Sequence, residues 1–170
     1  GIEMLVMDDG WFGVRNSDNC SLGDWYVNED KLPGGLGVLI DRVNALGLKF
    51  GIWYEPEMIS PDSDIYRAHP DWCIRCPERP MSYSRSQYVL DMANPAVIEY
   101  LKASFEETFR GVPIDYFKWD MNRHICDVGS PYLPAERQDE VLFRYMMGVY
   151  ELMGWFREQF PIWLTNFSRT

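Results

Sequence analysis

The chain has 170 residues, 46% of them hydrophobic and 25% charged, the length and balance of one globular domain with a real core. A formal net charge of −10 without any cluster of Lys and Arg argues against a nucleic-acid partner, and no apolar stretch approaches the length of a membrane span. Cysteines at 20, 73, 76 and 126 are too few and too scattered for a disulfide framework, and Cys73-x-x-Cys76 lacks a second pair, so reduced thiols in a cytoplasmic protein are expected, with no metal and no cofactor.

Residues 3–7 form a short apolar run that ends at Asp8-Asp9-Gly10 and reads as a strand opening into a loop. The loop, residues 10–33, is rich in Gly, Asn, Asp and Trp, and loops of that length inside a domain are usually functional. Leu36, Leu39, Ile40, Val43 and Leu46 recur at helical spacing until Gly47 stops them. Residues 48–54 give a second strand, ending in Glu55-Pro56-Glu57, and residues 63–69 a short helix stopped before Pro70. Residues 88–92 read as a third strand. Asn94 caps a helix whose first turn holds Pro95 and which runs to about Arg110. Residues 114–119 are the fourth strand, residues 134–159 a helix, and residues 162–167 a fifth strand.

This alternation predicts an α/β fold with parallel strands and crossover helices. Strands that all exit into polar, carboxylate-bearing or aromatic loops suit a (β/α)8 TIM barrel, whose site lies at one face. A doubly wound sheet is the alternative, but no glycine-rich phosphate turn follows a strand. About five strands make the barrel partial. The aromatic content, 15%, suits stacking on sugar faces as well as filling a core.

Chemistry concentrates at Lys118-Trp119-Asp120-Met121-Asn122-Arg123. A carboxylate just past a buried strand stands where barrel enzymes keep their reacting groups. Lys118, two residues earlier, points to the same side and favours the ionised form. A fixed, ionised carboxylate is what a nucleophile for sugar chemistry must be. The plainer reading is a strand-end ion pair. Glu55 and Glu57 with Asp120 would be a metal site only with further ligands, and no His-rich or Asp-rich set supplies them.

Five stretches in this order resemble glycoside hydrolase family 36, the bacterial α-galactosidases: Asp8-Asp9-Gly10-Trp11-Phe12; Ser21-Leu22-Gly23-Asp24-Trp25; residues 49–58, Lys-Phe-Gly-Ile-Trp-Tyr-Glu-Pro-Glu-Met; His69-Pro70-Asp71-Trp72; and Lys118 to Arg123. The resemblance covers residues 3–161. It implies that residues 1–170 are the central part of a catalytic (β/α)8 barrel, incomplete at both ends, from a homo-oligomeric parent. It further implies retaining hydrolysis of terminal α-linked galactose in oligosaccharides of the melibiose or raffinose type. Asp120 falls on the nucleophile; Lys118, Asn122, Asp8, Asp9, Trp53 and Arg85 fall on sugar-binding positions. Asp8 has the alternative of capping a loop while Asp9 alone faces the site; Trp53 has that of plain core, Arg85 that of pairing with Asp91 or another barrel carboxylate. Asn122, Arg123 and His124 also suit supporting positions around the site. The acid/base aspartate of the family lies downstream of Thr170.

The sequence departs from the family pattern at Ser86, where asparagine is usual, and from Leu164 to Thr170, where Ser168 stands in place of a cysteine. These departures keep a second reading open: a non-catalytic remnant with part of a sugar-binding surface. A parent specific for α-N-acetylgalactosamine, or one that transfers galactose, is the alternative within enzymes.

Overall fold

The computed structural model describes residues 1–160 in full and residues 164–169 as backbone. In chain order, β1 (Met4–Met7) leads through a long loop to α1 (Gly35–Ala45) and β2 (Lys49–Tyr54). An excursion follows, holding β3 (Met58–Ile59), α2 (Asp64–Ala68) and β4 (Tyr88–Val89). Then come α3 (Pro95–Phe109), β5 (Tyr116–Met121), α4 (Val141–Gln159) and β6 (Leu164–Arg169). β1, β2, β5 and β6 pair in that order, all parallel, with helices in the crossovers.

The sheet is covered on one face by helices whose apolar stripes turn inward. α1 buries Leu36, Ile40 and Val43; α3 buries Val97, Ile98, Leu101, Phe105 and Phe109; α4 buries Tyr145, Val149, Leu152 and Phe156. Aromatic rings fill the space between the layers. Tyr54 stacks on Trp25 at 3.9 Å and on Phe105 at 4.3 Å, and Phe109 meets Phe117 edge-on at 4.9 Å. Much of the aromatic content is therefore core. α4 comes so close to the chain at Met92 that a side chain at Gly148 would put its Cβ 1.9 Å from the Met92 carbonyl oxygen. On the other face, a Cβ at Gly51 would meet the Tyr116 ring at 2.8 Å and Val6 at 3.1 Å, so the strands need glycine there.

Three expectations are corrected. Residues 88–92 are not a strand of the parallel sheet: Tyr88–Val89 pairs antiparallel with Met58–Ile59, apart from the main sheet. β2 pairs directly with β5, which leaves no slot between them. A five-residue apolar run reads alike for a buried parallel strand and a short hairpin arm. The parallel sheet accordingly has four strands among the described residues. Asp120 lies inside β5 rather than past its end, because the strand runs two residues further than the expected residues 114–119. The last predicted helix is split: a 3₁₀ turn at Ala135–Glu140 precedes α4. Of the expected fifth strand, residues 164–167 lie in β6, whereas residues 162 and 163 fall outside the described residues, as does the Ser168 side chain. No helix among the described residues is long and apolar enough to cross a membrane.

Candidate active site

Strand alternation builds the site. Trp53 and Lys118 are register partners in β2 and β5, and Asp120 lies two residues beyond Lys118 on the same face. Asp8, one residue past β1, extends the row, since Met7 pairs with Ile52. Phe117 and Trp119 point the other way, into the helix-covered core.

Asp120 is the hub. It is 7% exposed, and its carboxyl receives donors from three directions. Trp53 Nε1 donates to Oδ2 at 2.8 Å, Asn122 Nδ2 to the same oxygen at 2.9 Å, and the Met121 amide to Oδ1 at 3.0 Å. Lys118 Nζ stands 3.9 Å from Oδ2 and 3.4 Å from Asp8 Oδ2. One lysine thus lies between two carboxylates. The Trp53 ring is buried and stacked near Phe12, and Trp11 Nε1 donates to the Trp53 carbonyl. Trp53 therefore meets the site through its indole N–H, which orients Asp120.

Asp8 and Asp9 are held differently. The Asp8 side chain is open to solvent and faces Lys118. Asp9 is gripped by Arg15, whose Nε lies 3.0 Å from Oδ1 and whose second terminal nitrogen lies 2.8 Å from Oδ2, a bidentate fork. The other terminal nitrogen of Arg15 donates to the carbonyls of Asp18 and Cys20. Arg15 so ties Asp9 to its own loop. Sequence reasoning missed Arg15; as one of two cations in residues 10–33, it carried no spacing signal.

The sequence offers Glu55 only as a metal ligand. It is 2% exposed, and Oε1 accepts the Asn122 amide at 2.6 Å. Burial pushes its carboxyl up to about 7, with the nearby Asp120 charge in the same direction and hydrogen bonds from Asn122 opposing. Glu57 is fully buried and turned to the core, accepting from Trp119 Nε1 at 3.1 Å and the Tyr145 hydroxyl at 2.7 Å. Among the described residues no three His, Cys, Asp or Glu side chains gather as a metal site.

Arg85 is not in contact with this cluster. It is exposed at a two-residue turn and makes no ion pair among the described residues, Asp91 included. Asp91 is instead bonded to the Ser130 hydroxyl and the Ala93 amide. The structure thus gathers Asp8, Trp53, Lys118, Asp120 and Asn122, holds Asp9 beside them, and leaves Arg85 on a separate hairpin.

The Melibiase family profile matches residues 1–167. The α-galactosidase AgaA of Geobacillus stearothermophilus is 52% identical over 161 residues, 95% of this chain. Alpha-galactosidase 1 of Pediococcus pentosaceus is 50% identical over the same length. The chain spans 22% of the length of each of these relatives. Among solved structures, a variant of G. stearothermophilus AgaA in complex with raffinose matches with a TM-score of 0.94 at 51% identity, covering 98% of this chain and 23% of that one. A stachyose-bound variant of the same enzyme gives 0.93 at 50% identity, covering the same shares.

Proposed function

The chain belongs to the Melibiase family, glycoside hydrolase family 36, and on that premise we propose that its strand ends form the nucleophile and galactose-binding half of a retaining α-galactosidase site in a (β/α)8 barrel. The substrates are oligosaccharides with a terminal α-linked galactose, of the melibiose or raffinose type. One observation carries this reading: Asp120 is aimed by three hydrogen-bond donors and flanked by Lys118 at the C-terminal end of a parallel strand.

Three donors and one cation are turned toward the Asp120 carboxyl, so it is presented as an attacking acceptor with its orientation fixed. It attacks the anomeric carbon, the glycosidic bond breaks, and a galactosyl ester forms on Asp120. Water then cleaves the ester and restores the starting configuration. The open carboxylate of Asp8 accepts sugar hydroxyl protons, and Lys118 donates to a hydroxyl between Asp8 and Asp120. Asp9, preset by Arg15, adds a second acceptor.

Retention also needs a general acid about 5–5.5 Å from the nucleophile. A carboxyl raised to about 7 has the tuning for that work. Glu55 lacks the reach: it is enclosed and committed to the Asn122 amide, so no leaving-group oxygen can approach it. We assign the acid to a residue outside this chain, as the family resemblance implies.

The test is release of nitrophenol from an aryl α-galactoside, whose activated leaving group departs with little acid help. A burst in the wild-type chain that is absent in Asp120→Asn is the expected result. Folded chain with no burst and no affinity for galactosides contradicts the reading.

A further inference from the structure

Resting on the reading above and on the sugar-binding position that the family resemblance implies for Arg85, we propose that Arg123 is a positioning residue for the hairpin that carries Arg85, so that galactoside affinity depends on a guanidinium that never touches the sugar. Arg85 and Ser86 are the two central residues of a turn closed by pairing of Ser84 with Gln87. Both have positive φ, 53° and 59°, the left-handed region that glycine or asparagine normally fills. Such a turn is strained with Arg and Ser in it, and it persists only where surrounding structure over-determines it.

Arg123 supplies that determination. It is 5% exposed and makes no ion pair among the described residues. One terminal nitrogen donates to the Ser82 carbonyl at 2.7 Å and to the Gln87 carbonyl at 2.8 Å, gripping both arms of the hairpin at once. The other reaches the Ser82 hydroxyl at 3.3 Å, and Nε donates to the His124 carbonyl at 3.1 Å. From the same loop, Asp127 accepts the Ser82 amide at 2.7 Å. A buried guanidinium without a carboxylate is costly, and carbonyl acceptors in this fork are what offset it. Arg123 is three residues beyond Asp120. The loop leaving β5 therefore anchors both the attacking carboxylate, through Asn122, and the hairpin that presents Arg85.

Lysine in place of Arg123 keeps the charge but loses the fork that bridges two carbonyls. In Arg123→Lys we expect trypsin to cut after Arg85 at least tenfold faster than in wild type, scored by fragment mass. Affinity for methyl α-galactoside should fall about as much as in Arg85→Ala, and the double variant should lose no more than either single change. An unchanged cleavage rate overturns the clamp. Additive losses in the double variant overturn action through Arg85. If Arg123→Lys does not fold, Asp127→Ala carries the same two readouts through the Ser82 amide. A wild-type chain that binds no galactoside overturns the sugar-binding role and with it the reading of the site; the cleavage rate still decides the clamp by itself.

Discussion

Glu55→Gln should make the protein more stable above pH 7 and leave it unchanged near pH 4. Gln keeps a carbonyl oxygen where Glu55 Oε1 accepts the Asn122 amide, so the change removes a charge and little else. The Glu55 carboxyl is raised from an ordinary 4.5 to about 7, chiefly because it is buried. The folded protein therefore holds a proton that the unfolded chain has already released between those values. Stability is full below pH 4.5, falls as pH rises toward 7, and stays low above it. At about 1.4 kcal/mol per pH unit, that interval amounts to about 3 kcal/mol. Asp24 and Asp91 are also raised by burial and push the same way, but both are present in wild type and variant, so they cancel in the difference. Urea unfolding followed by tryptophan fluorescence at a series of pH values from 4 to 8 gives that difference directly. A gap between the proteins that opens through pH 5–7 is expected. A gap independent of pH would refute the idea that Glu55 is held neutral by burial.

Gly148→Ala should cost about 3 kcal/mol in chemical denaturation, since its Cβ would overlap the Met92 carbonyl and α4 must shift; a neutral result would contradict that approach. Ser86→Gly should raise the unfolding free energy by about 1 kcal/mol by relieving the left-handed turn, measured the same way. Arg15→Met should weaken galactoside binding about tenfold by freeing Asp9, with a loss of about 2 kcal/mol in stability from the broken charged fork; titration calorimetry and denaturation read the two effects separately. Trp53→Phe keeps a buried ring but removes the N–H aimed at Asp120, and should slow the nitrophenol burst about tenfold with binding preserved.

What could be read in the sequence followed from local chemistry. The stripe Leu36, Ile40, Val43 and the Asn94-Pro95 start needed only helical spacing and capping, and both lie where expected. Lys118 and Asp120 were placed on one face by strand alternation, which needs no tertiary knowledge. What the sequence hides at residues 88–92, Arg15, Glu55 and Arg123 has one cause: it depends on which distant segment each meets. Residues 88–92 had the composition of a core strand, but β2 had already taken β5 as its neighbour. Arg15 gained its role from a loop folding back on Asp9, and Glu55 from the Asn122 amide across the sheet. Arg123 closes the motif and suits a supporting position in the sequence; only the hairpin arms packed against it show what its donors are for.

The central claim is that Asp120 forms a covalent bond to galactose. An activated fluorinated α-galactoside, whose glycosyl ester hydrolyses slowly, should add one sugar mass to the chain. Peptide mapping should place that mass on Asp120, and Asp120→Asn should remain unlabelled. Folded chain that takes up no label, or a label carried on any other carboxylate, would contradict the account.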